Sequence, residues 1–150
     1  MIGKTDEITT LNTLTATLLD SVNGYRDAAE HSESGRFQEM FRTSADERNR
    51  CAEDLRAEVR RLGGEPEDDQ STMGALHQRW LDLKAAITGR DDQAIINEVE
   101  RGEDYLKAKF EAALNSGHLS GESRAVVERA YQSVRKGHDQ VSAIKHGMEA

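Results

Sequence analysis

Cysteine and proline each occur once in the 150 residues, as Cys51 and Pro66. A lone cysteine excludes an intramolecular disulfide and any cysteine-built metal cluster. Cys51 reads as a small buried hydrophobe in a reducing compartment. A lone proline leaves almost the whole chain free to be helical, since proline is the residue that most strongly interrupts a helix. Aromatic residues make up only 5% of the chain, with Trp80 the single tryptophan. Positive charge is also scarce: 20 Lys and Arg face 28 Asp and Glu, for a formal net charge of −8. Such a balance repels phosphate backbones and argues against a nucleic-acid partner. The densest basic group, Arg56, Arg60 and Arg61, is interleaved with Glu53, Asp54 and Glu58 and reads as a solvated helix face. No apolar run reaches the roughly 18 residues of a membrane span, so no integral membrane association is expected. With no basic segment leading into an apolar one, the expected location is the cytoplasm. There is no glycine-rich phosphate loop, no HExxH, no nucleophile elbow and no EF-hand loop. These absences leave no candidate catalytic residue.

What the chain does have is helical periodicity. A first helix is predicted from about 7 to 32, with Ile8, Leu11, Thr15, Leu18, Val22, Tyr25 and Ala29 alternately three and four residues apart. Leu14 and Leu19 widen that face. A second, from about 36 to 62, carries Phe37, Met40, Phe41, Ser44, Cys51, Leu55, Val59 and Leu62, and Gly63 closes it as a C-terminal cap. Gly64 to Gln70 forms an acidic linker. Ser71 or Thr72 then opens a shorter amphipathic helix with Met73, Leu76, Trp80, Leu83 and Ile87, ending at Gly89. A third long helix, 92–115, presents Ile95, Ile96, Val99, Leu106, Phe110 and Ala113 or Leu114. The last, 121–146, presents Val126, Val127, Ala130, Val134, Val141 and Ile144. The short turns near Ser34 and Gly117 make two antiparallel hairpins. The long crossover between them predicts an all-α, single-domain four-helix bundle spanning residues 1–150, with the one crossover typical of ferritin-like folds.

Three apolar stripes are interrupted by an ionisable residue: Glu47 between Ser44 and Cys51, Glu103 between Val99 and Leu106, and His138 between Val134 and Val141. A charge at a core position must be paired, neutralised, metal-bound or turned outward. Carboxylates and an imidazole on facing bundle helices are the ligand types of di-iron, di-manganese and zinc sites. Counting levels from the two turns gives two partial clusters, a central one around Glu47 and Glu103 and a distal one around Glu30, Glu100 and His138. These five are the candidate metal ligands, with iron, manganese or zinc as the candidate cofactor. Four of them have a plainer reading: Glu47 paired with Arg48 or Arg50, Glu103 turned toward Lys107, Glu30 in a surface pair with His31, and His138 as a partly exposed histidine. Trp80 reads as the anchor of the crossover helix or as a dimer contact, so a homo-oligomer or a protein partner is expected.

The runs Tyr25-Arg26-Asp27-Ala28-Ala29-Glu30, Ala57 to Gly64, Leu76 to Trp80, Leu83 to Gly89 and Glu100-Arg101-Gly102-Glu103-Asp104 resemble the PA2169-type four-helix-bundle proteins, a family of ferritin-like domains of unknown function. The resemblance runs from about Thr9 to Lys145. It implies a bacterial, stress-related bundle, and the wider ferritin-like group binds paired metals through a glutamate followed three residues later by histidine. This chain departs from that pattern, because Glu47 is followed at that spacing by Arg50 and Glu128 by Tyr131. Two functions stand open at this level. One is metal binding, with sequestration or dioxygen and peroxide handling as its chemistry. The other is a non-catalytic structural or protein-interaction scaffold without metal.

Overall fold

The computed structural model describes residues 3–66 and 92–149, and within them every regular element is an α-helix. The helices are α1 (Lys4–His31), α2 (Gly35–Arg61), α3 (Asp92–Asn115) and α4 (Gly121–Glu149). The predicted helices match all four closely. The predicted crossover helix and its Trp80 lie outside the described residues.

The helix ends follow from local chemistry. Ser34 caps α2 by accepting the Phe37 N–H on its side chain. At the other end of α2, the Gly63 N–H donates to the Arg60 carbonyl and the Gly64 N–H to the Val59 carbonyl. This is the paired closure of a Schellman motif, which needs a left-handed residue after the last helical turn. Gly63 supplies it, with φ of +85°. Ser120 precedes α4, and a carboxylate from a distant helix completes that cap. Glu7 of α1 accepts from both the Ser120 N–H (2.9 Å) and its hydroxyl (3.0 Å). Glu58, near the end of α2, accepts the Ser123 hydroxyl at 2.7 Å. Both carboxylates are buried, and both sit at the positive end of the α4 dipole, where negative charge is favoured. Glu58, expected on a solvated face, is instead turned inward and held by Arg61 at 2.6 and 2.8 Å.

The core fixes the topology. One apolar cluster joins Leu11, Leu14 and Leu18 of α1 to Ala52, Leu55 and Val59 of α2, Leu106 and Phe110 of α3, and Val127 and Val134 of α4. A second joins Val22, Tyr25 and Ala29 to Phe41 and Ala45, to Ile95, Ile96 and Val99, and to Val141. Along the chain, α1 and α4 run from the first cluster to the second, whereas α2 and α3 run the other way. The packed neighbours are α1 with α2, α3 with α4, α1 with α3, and α2 with α4. Every neighbouring pair is therefore antiparallel, and the two parallel pairs, α1/α4 and α2/α3, lie on the diagonals. At the α1–α2 turn, the Glu33 and Ser34 N–H groups donate to the Asp92 carboxylate at the start of α3.

Replacing Gly63 by alanine places a Cβ on a left-handed backbone, and the expected loss is about 1–2 kcal/mol of unfolding free energy. Urea denaturation followed by circular dichroism measures it.

Candidate functional site

The two apolar clusters do not merge. Between them all four helices place something other than a hydrophobe at the same level: Ser21 on α1, Arg48 on α2, Glu103 on α3 and Gly137 on α4. Arg48 is 2% exposed and Glu103 0%, so a full charge pair sits at the axis of the bundle. The two meet across the α2/α3 diagonal as a parallel fork, with Nη1 to Oε1 and Nη2 to Oε2 both at 2.6 Å. This is the bidentate geometry in which a guanidinium matches a carboxylate best. Nη1 also donates to the Ser21 hydroxyl at 2.9 Å.

The remaining faces of the guanidinium are closed by α1 and α4. Its Cζ lies 5.4 Å from the centroid of the Tyr25 ring, within range of a cation–π contact. Tyr25 in turn packs tilted against Phe41 at 5.8 Å. Burial alone disfavours the Arg48 charge, yet the adjacent Glu103 outweighs it and the group is held more firmly protonated than usual. Burial, followed by the Glu103 charge, pushes the Tyr25 phenol well above its ordinary range, so it stays neutral. On the α4 side, a Cβ at Gly137 would fall 2.5 Å from Arg48 Nη2 and 3.3 Å from Glu103 Oε2. Only glycine lets α4 close over the pair.

The five candidate metal ligands do not converge. Glu103 is in the core with both oxygens taken by Arg48, and Lys107, its expected partner, reaches Glu111 instead. Glu47 is exposed and lines a groove of about 440 Å³ between α2 and α4 with Arg36, Met40 and Gln140. Glu30 is exposed. Glu100 accepts from Lys145 at 2.9 Å, and this bond holds its carboxyl below the usual range against the opposing effect of burial. His138 is only 17% exposed and sits beside the core, clasped between Asp104 on Nε2 (2.6 Å) and Asp139 on Nδ1 (3.2 Å). Among the described residues, no three His, Cys, Asp or Glu side chains gather as a metal would require. A di-metal bundle needs inward carboxylates from all four helices. Among the described residues the central level offers one inward carboxylate, Glu103, and it is already engaged. The donor set does not fit such a group.

Periodicity passed over Arg48 and Gly137 in favour of their neighbours. Phe41, Ala45, Arg48, Ala52, Leu55 and Val59 form an unbroken three–four stripe, all buried. Reading the small residues Ala45 and Ala52 as core, in place of Ser44 alone, selects Arg48 and puts Glu47 outside. On α4, Gly137 lies three residues after Val134 and four before Val141. A glycine inside a helix costs about 1 kcal/mol relative to alanine and therefore points to a packing reason.

Two outcomes are expected of this layer. Arg48→Met alone leaves Glu103 charged and unpaired, at a cost of about 3–5 kcal/mol. Arg48→Met with Glu103→Leu recovers most of that loss, because an apolar pair of similar volume removes both desolvation penalties. Gly137→Ala destabilises the native chain by about 1–3 kcal/mol through overpacking. In the Arg48→Met, Glu103→Leu background the same change loses this penalty and gains up to about 1 kcal/mol of helix propensity. Urea denaturation of the single, double and triple variants gives each difference, and a Gly137→Ala effect of one sign in both backgrounds contradicts the packing account.

His138 makes the layer's outer edge sensitive to pH. Burial opposes its charge, but the bonds to Asp139 and Asp104 outweigh it and raise its pKa above the ordinary 6.5. A raised folded-state value means that the clasp contributes fully below about pH 6.5 and is lost as pH rises through the folded-state pKa. Because the clasp is partly exposed, its size is less than about 1 kcal/mol. His138→Gln should flatten the stability profile over that window and leave the rest of it unchanged in slope.

No curated protein matches the chain. A family model does, over residues 6–116, which takes in α1, α2, α3 and the Ser21, Arg48 and Glu103 positions and stops short of α4 and Gly137. With more than half of its length matched, the chain belongs to the family described as a domain of unknown function, DUF2383.

Proposed function

We propose that the chain is a single-domain, non-catalytic structural or protein-interaction scaffold of the ferritin-like kind, without a metal at its centre. The observation that supports this reading is the bidentate Arg48–Glu103 pair. It fills the centre of the bundle and satisfies both charges from within the chain. The helix order lends the fold analogy its weight: antiparallel neighbours with parallel diagonals and one long crossover form the arrangement of ferritin-like bundles. Fold by itself carries no activity, whereas the central layer bears directly on whether a metal can be held. A metal at that level would need Glu103 released from Arg48, stranding a guanidinium in the core at a cost of several kcal/mol.

The test is elemental analysis of protein purified without chelator or affinity tag, together with its mass in solution by light scattering. Substoichiometric iron, manganese and zinc, unchanged in Glu47→Ala and Glu103→Ala, is the expected result. Near-stoichiometric metal that disappears in Glu103→Ala would overturn the scaffold reading in favour of the metal-binding one.

A further inference from the structure

We infer that Arg48 is the resident cation of this bundle: its guanidinium occupies the axial level between the two apolar clusters, where inward side chains of facing helices build a bundle's metal site, and an oxygen-lined cation site is built around it. The site has three parts. Glu103 supplies the anion, with two 2.6 Å bonds. Ser21 supplies a neutral oxygen at 2.9 Å, and the Tyr25 ring offers its negative face at 5.4 Å. Gly137 supplies the room, since any side chain there would enter the space that Nη2 fills. With Arg48 itself the five residues come from all four helices, so the layer fixes the helices at one level. A metal fixes a carboxylate bundle in the same way. The difference is that this cation is covalently part of α2, arrives with folding and cannot be removed by a chelator. Metal-free folding then follows from the sequence, and the chemical class that the site accepts is a planar, singly charged cation with several donors, not a divalent ion.

The inference deepens the scaffold reading and can be separated from it. Metal held elsewhere on the protein would end that reading and leave this one standing. The experiment is thermal unfolding of the full chain followed by circular dichroism. The native midpoint is expected to be the same in chelator and in manganese chloride, and a fall in chelator that disappears in Arg48→Met, Glu103→Leu overturns the inference. Arg48→Ala empties the cation position and is expected to lower the midpoint by about 10 °C. Millimolar methylguanidinium chloride should then raise it by several degrees relative to sodium chloride at matched ionic strength. The rise should vanish in Arg48→Ala, Glu103→Gln. An equal rise in that double variant, or none in Arg48→Ala, sinks the proposal. Should Arg48→Ala fail to fold, recovery of its helical signal by methylguanidinium but not by sodium chloride supports the inference, and failure to recover in either overturns it.

Discussion

The fork between Arg48 and Glu103 is the constraint on which the rest of the bundle depends. A charge pair removed from water is costly, and its mutual attraction offsets that cost only when geometry is good and the other donors are met. Each helix is committed to meeting that condition: α1 brings Ser21 and the Tyr25 ring, α2 the guanidinium, α3 the carboxylate, and α4 a glycine that lets the backbone approach. A slip of α2 or α3 by one turn, about 5.4 Å, would leave one charge facing hydrocarbon, and a slip of α1 or α4 would take away the hydroxyl or the glycine. The apolar clusters above and below tolerate such slips more readily, because one leucine substitutes for another. In this bundle the polar layer specifies register, and the apolar layers supply the favourable free energy.

The ends of the bundle repeat the same logic more weakly. Glu7 and Glu58 reach from α1 and α2 to the first residues of α4, and Asp92 of α3 binds the α1–α2 turn. Each is a carboxylate on backbone or hydroxyl donors from another element, so each contact is long in sequence and short in space. Together with the central fork they tie the two hairpins at three levels.

Much of this fold was legible in the sequence, because apolar spacing of three and four residues and the glycine and serine stops are local signals. Glu103 stood out for the same reason, bracketed by Val99 and Leu106. The central layer was harder to read. Positions 47 and 48 both satisfy helical spacing between flanking apolar residues, and hydrophobicity gives no vote between glutamate and arginine. What decides is the partner on α3, more than fifty residues away. Arginine is also the charged residue best suited to a core position, since its stem is aliphatic and only its tip is polar. Gly137 gives no apolar signal at all, and its role is visible only once Arg48 lies beneath it. The ligand-like appearance of Glu103 was thus a true sign of a buried charge. The identity of the cation that meets it was fixed by tertiary structure.

The diagonal placement of the fork also bears on time. Arg48 and Glu103 belong to different hairpins whose diagonal helices are held apart by α1 and α4, so their bond can form only after both hairpins have formed and docked. The ion pair therefore works as a bolt between the hairpins: it is undone only when they part, so its rupture belongs to opening of the whole bundle and not to fraying of one hairpin.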